Sequence, residues 1–218
     1  MEANKIEIKT LAISLAAISC IEGARWFAGS MFQWDSITAL GVARLFETIL
    51  ILLVVMLWGN GLPSIGLASS QAFPGFKKGL IWSAGFGTLA FSAFLVLFLF
   101  GIDPVALIQT PLPAKQSDIL LFFAVGGIVA PIAEELFFRG MLYGFFRKWG
   151  VFVALVFSTL LFVFPHLGTH GLPTTQIIGG ILFAIAYEVE GSLMVPITIH
   201  ALGNMVIFTL SLVSFGFV

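Results

Sequence analysis

Residues 119–139 read ILLFFAVGGIVAPIAEELFFR. No charge interrupts the run from Ile119 to Ala133, and then Glu134, Glu135 and Arg139 arrive within a turn or so. About 20 mainly apolar residues are needed for a helix to cross the hydrocarbon of a bilayer, so this stretch reads as a membrane span with ionisable groups set inside it. Such a group at the bilayer centre costs roughly 2.5–3.5 kcal/mol on insertion scales. Groups kept at that cost mark a site or a pairing.

The remainder of the chain agrees with a membrane setting. Of its 218 residues 59% are hydrophobic and 10% charged, with a mean hydropathy of +1.09, where an ordinary soluble domain carries roughly 25% charged residues. A formal net charge of −1 offers no basic surface to nucleic acid, so no nucleic-acid partner is expected. One cysteine excludes an internal disulfide framework.

Apolar length predicts spans near 10–31, 37–58, 79–101, 118–146, 150–166, 174–189 and 192–216. The fold class is therefore all-α: a polytopic helix bundle of seven spans around a polar cleft, forming one integral membrane domain over 1–218 with a motif-bearing core at 118–216. Pro131 predicts a kink or a partial crossing in the fourth span. Gly59, Gly61, Pro63, Gly66, Pro74 and Gly75 read as turns in a loop over 59–78. Seven crossings place Lys5, Lys9, Lys77, Lys78, Arg147 and Lys148 on one side and Lys115 on the other. The positive-inside rule then predicts a multi-pass protein of the cell membrane with a cytoplasmic N-terminus and an exterior C-terminus.

Adjacent residues on a helix diverge by about 100°, so Glu134 and Glu135 cannot share one environment. Glu135 and Arg139 stand at the spacing where an acid meets a following base, which leaves Glu134 with Phe138 one turn on and no base within helical reach. An apolar setting disfavours the charged form of such a carboxyl, the condition under which it serves as general base or acid. His166 closes the run Leu160-Leu161-Phe162-Val163-Phe164-Pro165. His200 and Asn204, four apart, share one helix face, and both side chains can donate hydrogen bonds. A base, a neighbouring histidine and two donors suffice to activate water and stabilise an oxyanion.

Glu134-Glu135-x-x-x-Arg139, Phe162-x-x-x-His166 and His200-x-x-x-Asn204, in that order on successive spans, resemble the three motifs of the CAAX-prenyl-protease and bacteriocin-processing family of intramembrane proteases. The resemblance covers roughly 118–204 and implies a bundle often of eight helices. By position it implies that Glu134 and His166 activate water, that His200 and Asn204 bind the oxyanion, and that Glu135 and Arg139 brace the site. The substrate implied is a membrane-anchored or lipidated protein, cut near its C-terminus or transmembrane segment. Small loops favour a prokaryotic sorting or processing protease, with a CAAX-type prenyl endopeptidase as the alternative.

Several other readings compete. A zinc enzyme would take Glu134, His166 and His200 as ligands; Asn204, an amide donor and poor zinc ligand, favours a mechanism without a cofactor. Intramembrane Glu and His also build transporter relays, and a member of the same family can serve as a silent scaffold or immunity factor. His200 and Asn204 can equally glue helices together. Glu22 with Arg25 and Arg44 with Glu47 stand at three-residue spacing and are expected chiefly to neutralise one another, with substrate recognition by Arg25 and Arg44 as the second reading and Phe162 as a further substrate wall. His170, in a Gly/Pro-bounded loop, reads as solvated.

Overall fold

A computed structural model describes residues 6–32, 36–167 and 173–216; Lys5 and His170 lie outside them. Its helices are α1 (Ile8–Phe32), α2 (Ser36–Trp58), α3 (Ser69–Leu99), α4 (Gln116–Trp149), α5 (Val151–Val163), α6 (Thr174–Glu190) and α7 (Met194–Gly216). No strand occurs among the described residues. Five helices, α1 to α4 and α7, are long and apolar enough to cross a membrane. The fifth and sixth expected spans are the short ones: α5 runs on as a 3-10 turn to His166, and α6 has 17 residues.

The third helix begins at Ser69 and not near 79, so Pro74 and Gly75 are helical residues and not turns. Packing explains this. A Cβ on Gly75 would stand 2.3 Å from Ser192 Oγ, and one on Gly79 would stand 2.5 Å from Thr198 Cβ; the two glycines let α3 lie directly on the start of α7. Of the expected turn residues, Gly61 and Gly66 do adopt left-handed φ of 74°, which glycine takes without steric cost. The Gly66 carbonyl accepts Leu193 N–H at 3.0 Å, tying this turn to the α6–α7 corner.

Helix α4 passes through Pro131 without a break. It accommodates the proline by widening into π-helix at Val125–Val129, and a second π segment follows at Leu136–Tyr143; such segments are frequent at functional sites. Leu136, Arg139, Met141 and Tyr143 of α4 are fully buried at the centre of the bundle. Leu99, Leu120 and Phe152 point outward, each about four-fifths exposed, as lipid-facing side chains do. Near one end Lys78 and Trp82 of α3 hold Glu190 at 2.6 and 2.9 Å, while Tyr143 and Arg147 of α4 hold Glu188 at 2.8 and 2.9 Å.

Candidate active site

The site is organised around a charge with no access to solvent. Arg139 and Glu135 are both 0% exposed. Arg139 Nη1 donates to Glu135 Oε1 at 2.8 Å and Nη2 to the Gly180 carbonyl of α6 at 3.1 Å. Phe162 and Phe183 flank the guanidinium at 4.6 and 5.2 Å, contributing cation–π attraction where water is excluded.

Glu135 does more than neutralise Arg139. The same Oε1 stands 2.7 Å from Nδ1 of His200 on α7. The imidazole stacks on Phe183 at 4.6 Å and 21° and meets Phe162 edge-on at 5.8 Å. Its ring plane is therefore fixed by α6 while its Nδ1 is fixed by α4. The other nitrogen, Nε2, lies 3.8 Å from Oε2 of Glu134, whose side chain is 19% exposed.

Glu134 also lies close enough to Arg44 of α2 and to Arg139 for their charges to interact. Helical spacing within α4 could not show the charge of Arg44, which belongs to another helix. Phe138, one turn on, meets Phe162 edge-on at 5.1 Å. His166, half-buried at the end of α5, turns Nδ1 to the Phe162 carbonyl at 3.0 Å, with the two rings 5.5 Å apart. Phe162 thus touches the surroundings of His166, Arg139 and His200 alike.

Asn204 reaches the site through Pro131. In the π segment Ala130 N–H bonds to Val125 O, and the next amide along, which would serve Gly126 O in an i→i+5 pattern, belongs to a proline and has no hydrogen. Asn204 Nδ2 supplies the missing donor at 2.8 Å. One amide hydrogen is committed to joining α7 to α4.

Glu22, Arg25, Arg44 and Glu47 form a single cluster between α1 and α2. Arg25 contacts Glu22 at 2.6 Å, and Arg44 bridges Glu47 at 2.5 Å and Glu22 at 3.2 Å. Next to it, Arg25, Ile37, Leu40, Phe122 and Gly126 line a cavity of about 220 Å³. Among the described residues no three His, Cys, Asp or Glu side chains are gathered so as to hold a metal. His200 Nδ1 is already committed to Glu135.

Gly126 and Gly180 read from the sequence as packing glycines, while Phe183 and the acceptor roles of the Gly180 and Gly126 carbonyls escaped it. Phe183 and Gly180 sit in the apolar middle of α6, between Gln176 and Tyr187, and Gly126 contributes only a carbonyl. Pro131 was the usable signal, since a proline inside a helix always leaves an acceptor to be satisfied.

Ionisable groups bonded to one another inside long apolar helices define an integral membrane protein with an intramembrane polar site. Residues 116–206 match the family described as type II CAAX prenyl endopeptidase Rce1-like, which bears out the family read from the three motifs. Over 157 residues, 69% of each chain, the protein is 26% identical to an uncharacterized 24.3 kDa protein of Escherichia coli. No solved structure matches it significantly.

Proposed function

We propose that the chain is an intramembrane endopeptidase that hydrolyses a peptide bond near the C-terminus or transmembrane segment of a membrane-anchored or lipidated protein. The observation that carries this reading is Glu134, held 3.8 Å from His200 Nε2 beside the fully buried Glu135–Arg139 pair. Glu134 accepts a proton from water as general base, and His166 helps to orient that water. The second N–H of Asn204 donates to the oxyanion, joined by His200 whenever its Nε2 carries a hydrogen. Residues of the set are supplied by α4, α5 and α7, so a substrate segment entering among these helices meets them together. The apolar cavity beside Arg25 suits a flanking part of that segment, and the reaction uses no cofactor.

Within this reading a prokaryotic sorting or processing substrate, a C-terminal helix ending in basic residues, is favoured by the small loops. A prenylated C-terminal tail is the second reading, supported by the description of the matching family. The test is cleavage by purified protein in bilayer nanodiscs, with a farnesylated C-terminal peptide and a helix-plus-basic-tail peptide as probes. Cleavage of one probe by the wild type and of neither by Glu134→Gln is expected. Equal cleavage by both proteins removes Glu134 from its role, and cleavage of neither probe by either protein counts against a protease of these substrates.

A further inference from the structure

We infer that His200 delivers the proton to the leaving amine, and that Glu135 is the positioning residue that equips it to do so. The inference rests on the protease reading above and changes the part His200 plays in it. Arg139 is fully buried and keeps its proton in proteins, and its Nη1–H already points at Glu135 Oε1. The carboxylate that pairs with this guanidinium is acceptor-only, so the hydrogen in the 2.7 Å contact between Oε1 and His200 Nδ1 sits on the nitrogen. A neutral imidazole carries one hydrogen. Its Nε2 therefore offers a lone pair to the site and has nothing to donate to an oxyanion.

That lone pair faces Glu134 Oε2 at 3.8 Å. Water gives one proton to Glu134 as its oxygen bonds to the scissile carbon. Glu134 passes this proton to Nε2, making an imidazolium whose charge the Glu135 carboxylate offsets. Nε2–H then protonates the amide nitrogen as the C–N bond breaks. One O–H and one C–N bond are lost, one C–O and one N–H bond are formed, and Glu134, Glu135 and His200 finish in their starting states. The second water hydrogen leaves with the new carboxyl group. Phe183, stacked on the ring, and Phe162, against its edge, keep Nε2 aimed along this path.

The tautomer can be read without any substrate. In wild-type protein carrying ring-15N histidine, in phosphatidylcholine nanodiscs, the His200 signals are those lost in His200→Gln. A hydrogen on Nδ1 and none on Nε2 once the ring is neutral is the expected spectrum. A hydrogen on Nε2 alone, or on both nitrogens up to pH 9, overturns the inference. The activity arm compares the farnesylated peptide with a nitrophenyl ester of its N-terminal product, whose leaving group needs no proton. His200→Gln and Glu135→Gln should lower kcat on the peptide by about 100-fold or more and on the ester by less than about tenfold; equal losses overturn the proton-donor role. A wild type that cleaves neither compound defeats the protease reading, and the spectrum still decides the tautomer by itself.

Discussion

The backbone carbonyl of Gly126 accepts the side-chain amide of Asn204 at 2.8 Å, across 78 residues of sequence, because Pro131 has no N–H to offer it. An acceptor left buried without its donor costs about 1–3 kcal/mol. Asn204→Ala should therefore lower the melting temperature in detergent. Pro131→Ala restores a backbone donor, so the Pro131→Ala, Asn204→Ala double variant should lose less than the sum of the two singles. Strict additivity in that cycle would show that the proline and the asparagine do not serve the same carbonyl.

The adjacent glutamates should separate cleanly. Glu134→Gln keeps size and hydrogen bonding while removing the proton acceptor, so cleavage should vanish with the melting temperature little changed. Glu135→Gln leaves Arg139 buried without a counter-charge, and breaking a buried pair costs about 3–5 kcal/mol. Both stability and activity should fall. Replacing Arg139 by Gln as well should restore part of the stability but none of the activity, since His200 still lacks its carboxylate. Melting curves and cleavage for the four proteins decide the matter; unchanged stability in Glu135→Gln would mean that the pair is dispensable.

Much of this was legible in the sequence because charge inside an apolar run is conspicuous and helical spacing is simple arithmetic. The motif residues Glu134, Glu135, Arg139, His166, His200 and Asn204 stood out for that reason, as did the three-residue pairs Glu22–Arg25 and Arg44–Glu47. Relationships between helices did not. Nothing in the spacing of α4 tells that Glu135 Oε1 serves His200 as well as Arg139, or that Arg44 of α2 carries its charge near Glu134. The start of α3 was misplaced because Pro74 and Gly75 read as loop chemistry, whereas the close approach to Ser192 and Thr198 requires small residues in a helix.

The donor arrangement leads us to expect hydrolysis without a resident metal. Asn204 is an amide donor and a poor zinc ligand, and His200 Nδ1 is engaged by Glu135. Purified active protein should carry no stoichiometric zinc by elemental analysis and should keep its rate after dialysis against a chelator. Loss of cleavage on dialysis, restored by zinc, would recast Glu134, His166 and His200 as ligands.

Orientation follows from charge. Lys77 and Lys78 near the start of α3 and Arg147 and Lys148 at the end of α4 belong to one end of the bundle, as the bonds of Lys78 to Glu190 and of Arg147 to Glu188 require. The positive-inside rule predicts a cytoplasmic position for that end. A phosphatase fused after Val218 should be active and a cytoplasmic reporter there silent. The reverse pattern would place the C-terminus inside and change the number of crossings.

The cluster between α1 and α2 allows structural and substrate roles to be told apart, because its two arginines differ in burial. Glu47 is only 3% exposed and depends on Arg44, so Arg44→Gln should cost several degrees of melting temperature, as loss of one partner of a buried pair does. Arg44→Gln with Glu47→Gln should recover part of it. Arg25 is 37% exposed, and an exposed pair contributes about 0–1 kcal/mol, so Arg25→Gln should leave the melting temperature within a degree or two. Arg25 also lines the cavity that reaches Gly126. If the substrate occupies that cavity, Arg25→Gln should raise KM with kcat nearly unchanged, the signature of lost binding and not of lost chemistry. An unaltered KM would confine Arg25 to neutralising Glu22.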